Sequence, residues 1–300
     1  MIRLNLIACS LASSLVLLPS LAMAASPQCV HSEPRDLKLD LAGAKAVVFE
    51  VNSHDLVLQA AANAPAELNG RACASNPDWL KQLTVTQQKV GDKLIVKLER
   101  EKQFNGISLG STYAYLDVRG SVPDTILVQL KVGSGDAEVS GAHSLSADVG
   151  SGDVKLRGIK GQLTAAVGSG DLEFDGSGPL HVVSIGSGDI KGRNVGGAAK
   201  IGQIGSGELT LEGVRGPFSL AALGSGDVDV RSITGDASVD LIGSGTVELR
   251  GVTGNVRIGT VGSGDVGIRD VTGNLTVERS GSGSIKHDQI RGTTQLPRKR

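Results

Sequence analysis

The sequence predicts an all-β protein: a parallel β-helix (β-solenoid) with coils of about 19 residues cornered by Gly-Ser-Gly-Asp, preceded by irregular N-terminal coils and a cap. Three observations predict it. First, Gly-Ser-Gly recurs nine times, beginning at residues 133, 150, 168, 186, 205, 224, 243, 262 and 281, so the period is 17, then 18 twice, then 19 five times. A unit this short cannot bury an apolar face alone and must stack on its neighbours.

Second, counting each coil from its first Gly as position zero, apolar residues form columns. Position four reads Ala137, Val154, Leu172, Ile190, Leu209, Val228, Val247, Val266, Ile285; position six reads Val139, Leu156, Phe174, Gly192, Leu211, Val230, Leu249, Ile268, His287. The residue before each corner runs from Val132 to Val261 and ends in Ser280. Short runs alternating with period two between Gly-rich corners are strands, two or three to a coil. Third, the outward charges alternate. Position five opens with Glu138, Lys155, Glu173, Lys191, and position seven runs Arg157, Asp175, Arg193, Glu212, Arg231. Stacking one period apart puts each opposite an unlike charge about 4.8 Å away, a pairing worth a few tenths of a kcal/mol. Nine such coils span roughly 40 Å.

Residues 1–24 carry Met-Ile-Arg, an apolar stretch from Leu4 to Leu18 and a small-x-small site at Ala22-Met23-Ala24, the pattern of a secretory signal peptide. No later run of apolar residues reaches 18, so no transmembrane segment is expected after cleavage. The expected location is the periplasm, the cell surface or the medium. Cys29 and Cys73 then remain, and two cysteines in an exported chain read as a disulfide pinning the N-terminal end.

Residues 25–130 repeat the pattern in degraded form. Ala46 to Val51, then Asn52-Ser53-His54-Asp55, then Leu56 to Leu58 reads as strand, corner, strand; Lys89-Val90-Gly91-Asp92 before Leu94 is a second echo. Insertions are expected near 60–82 and 101–112, the first, around Cys73, Pro77 and Trp79, folding over the open end as a cap. Residues 131–292 are the regular β-helix, and 293–300 a basic tail ending in Arg298-Lys299-Arg300. Glycine at the corners is expected to supply positive φ and to let neighbouring backbones approach. In the last coil, Ser280 and His287 replace aliphatic residues, a polar end that deters further strand pairing.

The feature of most chemical interest is the position after each corner: Asp136, Asp153, Asp171, Asp189, Glu208, Asp227, Thr246, Asp265, Ser284. Asp at a turn most simply bonds a nearby backbone N–H, and carboxylates about 4.8 Å apart repel by only about 1 kcal/mol in water. Calcium is an alternative, with Asp136, Asp153, Asp171 and Asp189 as ligands; paired catalytic carboxylates are another. An enzyme acting on polysaccharide would lose product release in Asp227→Asn. Yet the chain is only 2% aromatic, and Phe174 and Phe218 alone fall in the regular coils, so sugar rings find no platform. No catalytic triad, phosphate loop, zinc spacing or dinucleotide fingerprint stands out. His31, His54, His143, His181 and His287 are scattered and read as solvated or incidental and not as ligands. The net charge of −1 gives no argument for nucleic acid. The best candidate interaction face is Arg231, Arg250 and Arg269, where sign alternation stops and three like charges stack.

Repeats such as Gly-Ser-Gly-Asp-Val-Lys-Leu-Arg-Gly-Ile (150–159) and Gly-Ser-Gly-Asp-Val-Gly-Ile-Arg-Asp-Val (262–271) resemble the adhesin-like strand-repeat proteins of the bacterial envelope, the autotransporter adhesin head or GIN domain, over residues 36–292. The resemblance implies the solenoid fold and an adhesin-like role, and no catalytic residues. A membrane β-barrel like that of a true autotransporter is not expected after the last coil. The sequence therefore reads as a non-enzymatic exported β-solenoid without cofactor, binding an envelope protein or glycan or serving as a structural element.

Overall fold

The chain winds into two facing sheets in a computed structural model that describes residues 29–101 and 112–297. The signal segment expected at 1–24, nearly all of the insertion near 101–112, and residues 298–300 of the tail lie outside the described residues. Each regular coil supplies two strands. Those after the Gly-Ser-Gly corners, from Ala137–Ser140 to Ser284–Ile290, belong to a 14-stranded sheet, and those before the corners, from Leu127–Val132 to Leu275–Ser280, to a 13-stranded one.

Register follows the repeat. Ala137 pairs with Val154, Val154 with Leu172, Leu172 with Ile190, and the series continues to Val266 with Ile285. The columns read as inward are the core: Val230, Leu249 and Ile268 are each 0% exposed. Gly192 interrupts position six because the Phe174 ring of the coil below fills its place; a Cβ there would collide with that ring. Opposite charges also face one another, Lys155 with Glu173 and Asp175 with Arg193. The contacts made are partly diagonal: Arg157 reaches Glu138 at 2.6 Å, while Arg193 and Asp175 stand 4.0 Å apart.

Local irregularities shape each coil and set its length. After the inward residue at position six, two successive residues face out, and the second takes left-handed φ so that position nine can turn back into the core. Gly158 (62°), Asn194 (60°), Ser232 (61°), Asp270 (59°) and Gln289 (56°) all occupy this place. In the second strand, Val182 pairs with Ile201 and Ser184 with Gln203, leaving Val183 and Gly202 as a stacked bulge. Coil 133 lacks the bulge, coil 150 gains one residue in the arch before Leu163, coil 168 gains Val183 instead, and later coils have both. That accounts for 17, 18, 18 and 19.

At the corner itself glycine serves close approach and not positive φ, which corrects the expectation. A Cβ on Gly226 would meet the carbonyl oxygen of Gly207, and one on Gly243 would lie 2.7 Å from that of Gly224. Ser244 N–H donates to the Gly224 carbonyl at 2.8 Å, and the Ser244 and Ser263 hydroxyls are 3.1 Å apart. Equivalent serines are therefore adjacent rungs.

The N-terminal end is not laid down in chain order. Strands Ala46–Asn52 and Asp55–Ala61 form a coil through the Asn52-to-Asp55 corner, as read, but it is sandwiched: strands Lys93–Arg100 and Ala114–Pro123 stack on one side, and the coil holding Leu127–Val132 and Ala137–Ser140 on the other. Beyond them lies an antiparallel layer, Glu67–Ala74 on Ala114–Pro123 and Leu83–Val90 on Lys93–Arg100, with the 3-10 helix Pro77–Gln82 alongside. The second sequence echo, Lys89 to Asp92, is thus a hairpin turn and not a coil corner; an antiparallel return needs only a tight turn, with Gly91 at φ 61°. Arg35 holds this cap together, donating to the carbonyls of Leu83 (2.8 Å) and Leu80 (2.7 Å). Cys29 and Cys73 are joined, with Cα atoms 5.4 Å apart.

Candidate functional site

Strands Asp227–Ile233, Thr246–Val252 and Asp265–Val271 place Arg231, Arg250 and Arg269 directly over one another. The column is not bare. Asp229 takes a two-pronged bond from Arg231, at 3.1 Å to Nε and 2.6 Å to Nη2, which raises the guanidinium further above its ordinary pKa. Glu248 accepts from Arg250 Nη2 at 2.9 Å. Two residues before Arg269 stands Gly267, its side-chain space taken by the Glu248 carboxylate, and Arg269 makes no ion pair among the described residues. Glu212 pairs beneath Arg231 and Asp288 above Arg269, so acids close the run at both ends.

The carboxylate column extends further than the repeat. Asp136, Asp153, Asp171 and Asp189 are joined by Asp55, from the irregular corner, and by Asp117, which pairs with it. Asp117 was missed in the sequence because no Gly-Ser-Gly precedes it; the signal was Asp117-Val118 opening an alternating run, like Asp153-Val154. The carboxylates bond the next coil: Asp136 accepts from the Asp153 N–H at 3.2 Å, Asp171 from that of Asp189 at 3.2 Å, and Asp189 from that of Glu208 at 3.1 Å. Like charge is felt at the irregular corner, where Asp55 stands between Asp136 and Asp117. Burial first, then the neighbouring Asp136 and Asp117 carboxylates, push the Asp55 carboxyl above its ordinary pKa. Among the described residues no three carboxylate, imidazole or thiolate side chains converge as a cation would require.

A recess of about 830 Å³ opens where the cap meets the stack, lined by Asn52, Ser53, His54, Glu99, Arg100 and Ser134 among others. His54, one of the histidines read as solvated or incidental, is only 1% exposed, because the corner at 52–55 lies under neighbouring coils. Its Nδ1 accepts from the Leu116 N–H at 3.3 Å, and its Nε2 has no hydrogen-bond partner among the described residues. Burial, with a smaller contribution from the positive Arg100, lowers its pKa to about 4, so the imidazole is neutral at pH 7. Arg100 lies over the Trp79 ring, 5.1 Å from its centre.

No helix among the described residues is long and apolar enough to cross a membrane. The family described as "Putative auto-transporter adhesin, head GIN domain" matches residues 161–267 and 198–288. No curated protein matches the chain. Among solved structures, a putative lipid binding protein from Parabacteroides distasonis is 16% identical over 86% of this chain and 97% of its own, with a TM-score of 0.47. A putative adhesin from the same organism is 14% identical over the same shares, with a TM-score of 0.45. Over residues 161–288 the chain is thus similar to the adhesin-like family that its repeats resemble.

Proposed function

We propose that this protein is a non-enzymatic, exported β-solenoid acting as an adhesin-like binding or structural element of the bacterial cell envelope. The observation that carries the reading is the stack itself, in which outward side chains repeat in register from coil to coil, an array suited to an extended partner. The family match supports a binding role, and the Cys29–Cys73 disulfide supports an oxidising compartment. Envelope protein or glycan is the partner class, and Arg269, the arginine of the column without an ion pair among the described residues, is the first contact to test.

Crosslinking in intact cells, followed by identification of copurifying molecules, tests the proposal. A discrete partner is expected, captured less by Arg269→Ala and Arg250→Ala proteins. Capture unchanged in both variants discards the arginine face. Recovery of bulk envelope proteins alone reduces the role to a structural one.

A further inference from the structure

The recess where the cap meets the stack exists because the column of corners is interrupted there. Nine later corners carry glycine in their third position, since a Cβ strikes a carbonyl of the neighbouring coil: one on Gly135 would meet that of His54, and one on Gly152 that of Gly135. The first corner, Asn52-Ser53-His54-Asp55, carries a side chain in that place. It has room for one because strands Lys93–Arg100 and Ala114–Pro123, which stack on its far side, are not joined by a Gly-Ser-Gly corner. His54 occupies that room and lines the recess, whose volume of about 830 Å³ is that of a small-molecule site, roughly 300–1,000 Å³.

Because Nδ1 accepts from the Leu116 N–H, the neutral ring holds its proton on Nε2, and that buried N–H lacks an acceptor among the described residues. A donor left unmade is costly, and a ligand oxygen removes the cost. Around it, exposed Arg100 supplies further donors and exposed Glu101 acceptors, and neither makes an ion pair among the described residues. The hydroxyls of Ser134 and Ser151 supply both, and they begin a line of corner serines, each flanked by glycine, that leads out of the recess along the stack. An anionic ligand would meet Glu101 and a cationic one Arg100, whereas a hydroxyl, donating and accepting at once, meets partners of both kinds. We propose that this recess binds the end of a neutral glycan chain, its sugar hydroxyls pairing with His54 Nε2–H, Arg100, Glu101 and the corner serines. The site lies at the cap and stands apart from the arginine column, so failure of either leaves the other in place.

Trp79 is the single tryptophan of the chain, and Arg100 covers its ring 5.1 Å from the centre, so a ligand that engages Arg100 should change its emission. The full-length mature chain is titrated with cellotetraose, maltotetraose and N-acetylchitotetraose to about 10 mM, by fluorescence and by calorimetry. At least one should bind, with a saturable change in Trp79 emission. Ser134→Tyr, which fills the recess from an exposed position, and Arg100→Gln should each weaken binding in calorimetry about tenfold or more while keeping the wild-type circular dichroism. His54→Phe, which keeps a ring and removes the donor, should do the same. Binding of none of the three sugars overturns the proposal, and so does binding that Ser134→Tyr and Arg100→Gln leave unchanged. Tighter binding of tetragalacturonate overturns the neutral assignment, and unchanged binding by a folded His54→Phe protein overturns the role of His54.

Discussion

At the scale of single residues, the glycines of this chain fall into two kinds that the sequence alone does not separate. Corner glycines such as Gly226 are compelled by a neighbouring carbonyl, so Gly226→Ala should cost about 3 kcal/mol or more in chemical denaturation, at the upper end of overpacking. The left-handed position at the end of the first strand is different. Several coils fill it with glycine, but Ser232 and Gln289 sit there too, at φ 61° and 56°. Ser232→Gly should therefore stabilise by up to about 1 kcal/mol, as relief of left-handed strain outweighs the added chain entropy. His54 supplies a pH dependence. Its folded pKa of about 4 lies below the ordinary 6.5, so between those values the unfolded chain holds the proton and the folded one does not. Stability should fall as pH drops from about 6.5 to 4, and His54→Gln should flatten that slope. Asp55, with its pKa raised, works in the opposite sense and reduces the net effect at the acid end.

At the scale of elements, the coil was legible because its signals are redundant: period, columns and charge alternation all demand one register, and the pairs from Ala137 to Ile285 obey it. Stacked bulges such as Val183 and Gly202 were not legible, since a bulge shows only as two outward residues in succession and mimics loop composition. The cap was recognised as covering the end, yet its antiparallel pairing was not, because Leu94 to Leu98 alternates alike in either direction. The Cys29–Cys73 crosslink closes 44 residues of chain, which in the entropic account constrains the unfolded state by about 4 kcal/mol. Cys73→Ser should act locally. Hydrogen exchange is expected to rise in Glu67–Ala74 and His31–Pro34 while Asp227–Ile233 stays protected; uniform loss of protection would mean that cap and stack unfold as one unit.

At the scale of the whole molecule, stability is a sum over neighbouring coils, so removing one entire period should be tolerated where removing part of one is not. Deleting residues 225–243 joins equivalent corners, and should leave circular dichroism per residue unchanged with a slightly lower Tm. Deleting about half as many brings outward residues into the core and should abolish cooperative melting. The candidate face was legible as a column of arginines, and Asp229 and Glu248 as acids able to balance it. Only side-chain geometry shows that they are engaged. The sandwiched first coil bears on how synthesis proceeds. Near-identical repeats invite a mistake in counting, in which a coil skips its neighbour and docks on the next with almost equal energy. Because Ala46–Ala61 must receive both the cap-side strands and the Leu127 coil, an unrepeated nucleus emerges before the first Gly-Ser-Gly, and every later coil has one growing end to join.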